Sequence, residues 1–240
     1  MACVYRHRNA AFVQRLMGQC GDLSLHVVLW ALDRPHPGLE PFTVGSGPGG
    51  KFDLVNAMLS SGSVPAGEHL VVADDDVVLA RGDLRRLIDV VKAAGFGLAQ
   101  PAHARHSYAT FPVTRRRRLS IARLGNFVEI GPLFVVAPEW RSRVVPFPEG
   151  VGLGWGLDLR WMALADEGCS LGVVDRVTLR HCRPIGGGYD TTTETARLRQ
   201  VLAQLAVADD APLLDAVTGL QRDTATWRPW HRRPPWRPTP

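Results

Sequence analysis

The chain has few cysteines, and none is spaced to hold a metal. Cys3, Cys20, Cys169 and Cys182 form no C-x-x-C pair and no zinc-ligand spacing. A zinc-stapled or disulfide-stapled scaffold is therefore excluded, and free thiols in a reducing cytosol are expected. No apolar run is long enough to cross a bilayer as a helix. The amino terminus lacks the basic–apolar–cleavage pattern of a secretory signal, so a cytoplasmic location is expected. In the body of the chain, aromatic residues are not interleaved with basic ones as a single-strand-binding groove requires, and no nucleic-acid partner is expected. No internal repeat is present.

What is present has an ordinary globular composition. The 240 residues are 45% hydrophobic and 21% charged, which suits a chain with a real core. The net charge of +5 favours anionic substrates or surfaces. The first hundred residues alternate strand and helix. Ala2–Tyr5 reads as a strand, and Asn9 as the cap of a helix with Phe12, Val13, Leu16 and Met17 on one face. Leu25–Leu32 reads as a second strand, the glycine-rich Gly45–Gly50 as a loop, and Lys51–Leu59 as a short helix. Leu70–Ala73 is a buried strand, Asp83 caps a helix closed by Gly95, and Gly97–Gln100 is another strand. This alternation predicts an α/β fold with a mostly parallel sheet and helices on both faces.

Beyond residue 100 the pattern is less regular. Val128–Ile130, Phe134–Val136, Leu171–Val174 and Val177–Leu179 are strand candidates. The glycine loop Gly150–Gly156 precedes a helix with Leu157, Trp161 and Leu164 inward. Thr191 and Glu194 have capping-box spacing ahead of a last amphipathic helix. From Trp227 the chain is Pro, Arg and Trp, which predicts a disordered or surface-draped tail. The expected division is a catalytic body over 1–190, with nucleotide-binding and acceptor halves meeting near residue 100, then a helical segment over 191–226 and a tail over 227–240.

The chemistry centres on Asp74, Asp75 and Asp76, which end the apolar run Leu70–Ala73. Three adjacent carboxylates repel, and a strand end keeps them where a cation sits. Alternation puts Asp74 and Asp76 on one face and Asp75 on the other. Two hard oxygen ligands on one face suit Mg²⁺ or Mn²⁺. Asp74-x-Asp76 also matches the nucleophile motif of haloacid dehalogenase-type phosphatases, with Asp74 as nucleophile. Gly45, Gly47 and Gly50 fit G-x-G-x-x-G, and Gly45–Lys51 fits the start of a P-loop, but Phe52 stands where a P-loop needs Ser or Thr. The plainer reading is a helix opening at Gly49-Gly50 whose N–H groups, with Lys51, face an anion. Asp158 falls in a first helical turn, as a dipole partner or as a general base beside Trp155, whose flat ring suits a sugar. Arg115–Arg118 is a basic loop with three open readings: stabilising a diphosphate, binding an acidic acceptor, or standing solvated and mobile.

Gly50-Lys51-Phe52 with Asn56, the Asp74–Asp76 triplet, Trp155-Gly156-Leu157-Asp158 and His181, in this order, resemble a glycosyltransferase of the GT-A fold, most closely the bacterial family-2 type. The resemblance covers about residues 2–190. It implies that Asp76 coordinates Mn²⁺ or Mg²⁺ directly, that Asp74 touches the ribose or the metal through water, and that His181 completes the metal site. It implies a nucleotide-sugar site lined by Tyr5, Arg6, Lys51, Asn56, Asp74 and Asp75, and an acceptor site at Trp155 and Gly156. Asp158 becomes the base of an inverting transfer from a nucleotide-diphosphate sugar to a hydroxyl acceptor, with a lipid-linked acceptor and peripheral membrane contact through the basic tail as candidates. The alternatives are the phosphatase using Asp74 and a non-catalytic sugar-nucleotide-binding protein.

Overall fold

The computed structural model describes residues 1–62, 64–65, 67–184, 191–205 and 213–237. In chain order the elements are β1 (Ala2–Tyr5), α1 (Ala10–Gly18), β2 (Val28–Ala31), β3 (Thr43–Ser46), α2 (Lys51–Ser60), β4 (Leu70–Ala73), β5 (Val77–Arg81) and α3 (Leu84–Ala94). Then follow β6 (Leu98–His103), β7 (Ala122–Gly125), β8 (Leu133–Val136), α4 (Arg141–Val144), α5 (Leu157–Asp166), β9 (Leu171–His181), α6 (Thr192–Gln204), α7 (Leu213–Gly219) and β10 (Asp223–Trp227).

The strands join in one sheet of order β10-β7-β9-β6-β8-β4-β1-β2-β3, with β5 paired to the far half of β9. β1–β4, β6, β9 and β10 run one way; β5, β7 and β8 run the other. The sheet is thus mostly co-directional, as a βα alternation requires. Its central strands β4 and β8 are apolar throughout because both faces are covered. On β4, Leu70 and Val72 pack with Phe52, Met58, Leu157 and Trp161 of α2 and α5. Val71 and Ala73 point the opposite way, toward Leu84, Leu87, Ile88 and Val91 of α3. α3 is built as its sequence requires: the Asp83 carboxylate accepts from Arg86 N–H at 2.7 Å, and Gly95 closes the helix in the left-handed conformation.

Several expectations need correction. The second strand is Val28–Ala31, shorter than Leu25–Leu32. Gly45 lies inside β3 rather than in a loop, paired with Trp30 of β2, whose ring leaves no room for a side chain there. Val128–Ile130 is not a strand; Phe127 and Val128 are buried without one, and β7 lies just upstream. Leu171–Val174 and Val177–Leu179 are one continuous strand, β9. Two expected helix caps are not made. Asn9 and Thr191 accept no capping bond with their side chains. In the Pro/Arg/Trp-rich tail, expected to be disordered or draped on the surface, Trp236 stacks on Phe96 at 5.6 Å and donates from Nε1 to Ala94 O at 2.9 Å. No helix among the described residues is long and apolar enough to cross a membrane.

Candidate active site

The co-directional strands β4 and β9 deliver the acidic triplet and His181 to the same end of the sheet. There they border a cleft of about 1110 Å³. Asp74 continues the β4–β8 ladder by donating its N–H to Pro132 O at 2.8 Å. Its carboxylate meets Lys51 Nζ at 2.5 Å, and that ammonium also donates to Ile130 O at 3.2 Å. Asp76 Oδ1 lies 3.1 Å from His181 Nε2. One ligand atom each from Asp74, Asp76 and His181 falls within 4.8 Å of the others. Two carboxylate oxygens and an imidazole nitrogen form a donor set that fits Mn²⁺ or Mg²⁺. Asp75 turns the other way, as strand alternation predicts. Its Oδ2 accepts from Arg6 N–H at 2.7 Å. Burial pushes the Asp75 carboxyl above its ordinary range, against the pull of that N–H. Burial works against a charged His181, but the Asp76 hydrogen bond and the surrounding carboxylates outweigh it and raise the imidazole.

Across the cleft, α5 begins after Gly154, Trp155 and Gly156. Gly154 has φ +90°, and a side chain there would run into the Phe52 ring of α2. The glycine lets the loop close onto α2 and hold Trp155 and Asp158 at the cleft wall. Asp158 is 5% exposed and accepts from Leu159 N–H at 3.0 Å. Burial, reinforced by the nearby Glu129 carboxylate, pushes its carboxyl up to about 7.

The cleft therefore gathers Arg6, Lys51, Asp74, Asp75, Asp76, Trp155, Gly156, Asp158 and His181. Two residues expected there are elsewhere. Tyr5 sits between Val4 and Arg6 on β1, so alternation sends it to the opposite face. It is fully buried, with its hydroxyl 3.0 Å from Thr43 Oγ1. Asn56 clamps the Phe147 main chain, donating to its carbonyl and accepting from its N–H, both at 2.8 Å. The start of α2 is also less open than expected, because Phe52 N–H already donates to Gly152 O at 3.1 Å.

Several cleft residues escaped the sequence reading. Asn9 accepts from Arg183 Nη2 at 2.8 Å instead of capping α1. Glu194 leaves its expected capping box, accepts from Leu153 N–H at 3.3 Å and pairs with Arg197. Glu129 is fixed from behind by His103 Nε2 at 3.2 Å, and the other ring nitrogen of His103 meets Ser107 Oγ at 2.7 Å. That hydroxyl accepts from His181 N–H at 2.9 Å, which ties the Glu129 support to β9.

Solved structures share this architecture. TarS residues 1–349 of S. aureus, solved with UDP-GlcNAc, superimpose with a TM-score of 0.52 at 10% identity, covering 90% of this chain and 68% of that one. GalNAc-T7, solved with UDP, GalNAc and Mn²⁺, gives a TM-score of 0.58 at 12% identity over 83% of this chain and 47% of its own. The fold is that of the GT-A glycosyltransferases. The chain spans 40% of the longer TarS structure, at a TM-score of 0.52 and 9% identity. No protein-family model matches the chain, and no curated protein sequence does. In this chain the acidic triplet follows β4, the fourth strand in sequence.

Proposed function

We propose that the protein is a metal-dependent glycosyltransferase that moves a sugar from a nucleotide-diphosphate donor to a hydroxyl acceptor with inversion. The observation that carries this reading is the convergence of Asp74, Asp76 and His181 within 4.8 Å, in the same cleft as the buried carboxyl of Asp158. The shared fold with proteins solved with UDP or UDP-GlcNAc supports a nucleotide donor. Asp76 and His181, with Asp74, would hold Mn²⁺ or Mg²⁺. Such an ion, when bound, neutralises charge on a departing diphosphate.

The rest of the work falls to the chain. Lys51 Nζ stands beside Asp74 and adds positive charge on the donor side. Trp155 offers a half-buried flat surface to a sugar. Asp158 takes the proton of the acceptor hydroxyl as its oxygen attacks C1 and the C1–phosphate oxygen bond breaks. A carboxyl near 7 is matched to that role, since a base works best with a proton affinity close to the working pH.

A thermal-shift panel of nucleoside diphosphates and their sugars, with and without Mn²⁺, tests the donor site. Stabilisation by one base, enhanced by Mn²⁺ and lost in Asp76→Ala, is expected. Mn²⁺-dependent affinity that survives Asp76→Ala would refute the metal assignment. Saturable donor binding with no release of nucleoside diphosphate under any acceptor would instead establish a non-catalytic binding protein.

A further inference from the structure

One carboxylate of the cleft, Glu129, belongs neither to the proposed metal centre nor to the base. It lies on the loop between β7 and β8, is 6% exposed and borders the cleft. Strand β6 fixes it at two points. Gln100 Oε1 accepts from Glu129 N–H at 2.6 Å, and His103 Nε2 stands 3.2 Å from Glu129 Oε2. An ionised carboxylate only accepts, so Nε2 carries the proton. A neutral His103 ring then accepts the Ser107 hydroxyl proton at Nδ1, 2.7 Å away, while that hydroxyl accepts from His181 N–H. A buried polar chain of this kind is costly unless its members are satisfied, and it holds the carboxylate rigidly. It engages Oε2 alone. Among the described residues no hydrogen bond or ion pair engages Glu129 Oε1, and that oxygen is left for the cleft.

The residues after Glu129 lead to the acidic triplet. Ile130 O accepts from Lys51 Nζ at 3.2 Å, and Pro132 O accepts from Asp74 N–H at 2.8 Å. Between them Gly131 passes so close that a side chain there would stand 2.8 Å from Asp74 Oδ2. In the other direction, the Glu129 carboxylate is the charge that acts on Asp158. Glu129 thus stands between the Lys51–Asp74 pair and Asp158. In an inverting displacement the attacking oxygen, C1 and the departing oxygen fall in line, so the ring being transferred fills the gap between base and diphosphate.

We propose that Glu129 Oε1 accepts a hydrogen bond from a ring hydroxyl of the transferred sugar, and that His103 is the residue that positions this carboxylate. The inference rests on the donor reading and adds a requirement to it: the sugar carries a hydroxyl on the side that faces the β7–β8 loop. A buried acceptor of this kind rejects an analogue lacking the hydroxyl, because it would be left unpaired.

Titration calorimetry of the full chain in Mn²⁺ tests it, with UDP and GDP beside UDP-glucose, UDP-N-acetylglucosamine and GDP-mannose. In Glu129→Gln the amide oxygen keeps His103 Nε2–H and the amide N–H, a donor, turns to the cleft. This variant should bind the sugar nucleotide on the order of 10–100-fold more weakly, the range for a hydrogen bond to a charged group, and its nucleoside diphosphate within about twofold of the parent. His103→Leu should shift the same ratio in the same direction by less, whereas a general loosening of the fold would weaken both ligands together. Donors each lacking one ring hydroxyl locate the contact. The analogue without the bound hydroxyl should lose affinity for the parent, yet bind Glu129→Gln as well as the complete donor does. A sugar nucleotide that Glu129→Gln binds as the parent does, equal losses for both ligands, or a parent indifferent to every missing hydroxyl would each overturn this inference and leave the donor reading standing. A parent chain that binds none of the five ligands removes the donor reading, and this inference with it.

Discussion

Burial and the Glu129 carboxylate push the Asp158 carboxyl up to about 7, whereas an aspartate in an unfolded chain ionises near 3.8. Between these values the folded chain keeps a proton that the unfolded chain has released. Stability contributed by this group is therefore complete below the unfolded value and falls as pH rises through the window. Asp158→Asn should then be more stable than the parent at about pH 8, by up to about 4 kcal/mol, with the gap closing toward about pH 4 in urea melts. Equal stability of the two proteins at the higher pH would contradict the burial account. The same variant should lose about 10²–10⁴-fold in turnover while donor affinity holds, read by steady-state kinetics beside calorimetry. At this scale the triplet and His181 were legible because their chemistry is unusual for a strand end. Asn9 and Glu194 were not. Their residue types are those of helix caps, and only the folded cleft shows the carboxamide bound to Arg183 and the carboxylate to Arg197.

Strand β7 is held by a side chain that no strand pattern predicts. Arg123 is fully buried, its Nε 2.8 Å from Asp175 Oδ2 on β9 and its Nη1 2.9 Å from Asp223 Oδ2 on β10. Burial disfavours its charge, but the two carboxylates prevail and hold the guanidinium protonated. Nothing local in Ala-Arg-Leu-Gly marks a strand, because the carboxylates that hold Arg123 are 52 and 100 residues away. Arg123→Met leaves the buried Asp175 carboxylate without its cation, while Asp223 keeps Arg117, and should cost about 3–5 kcal/mol in denaturant unfolding. Adding Asp175→Asn to it should recover part of that loss. A neutral Arg123→Met would mean that the pairs contribute nothing to holding β9, β7 and β10 together.

At the scale of the whole molecule, alternation and two-sided burial were legible from the apolar runs and the capped α3. The insertion of antiparallel β8 between β4 and β6 was not, since nothing local in Leu133–Val136 states its neighbours. The tail illustrates the same limit. Its composition excludes a core of its own, yet Trp236 completes one by stacking on Phe96, and Arg237 approaches Gly95 at the carboxyl end of α3, where the helix dipole favours a cation. Trp236→Ala should lower stability by about 1–2 kcal/mol, less than a fully buried aromatic would, and leave the nucleotide response intact. A thermal melt of the variant with and without donor reads both.

Lys51 is a tethered cation already seated on Asp74 at 2.5 Å. The acidic triplet thus has a counter-charge of its own, and folding has no need of a free ion. Chelation should abolish donor response while leaving the melting temperature of the unliganded chain almost where it was. Binding then becomes an exchange: an arriving divalent ion must share Asp74 with the ammonium, and a diphosphate gives that ammonium somewhere to go. Lys51→Met should accordingly move two titrations in opposite directions, tightening Mn²⁺ on the empty protein and loosening the nucleotide.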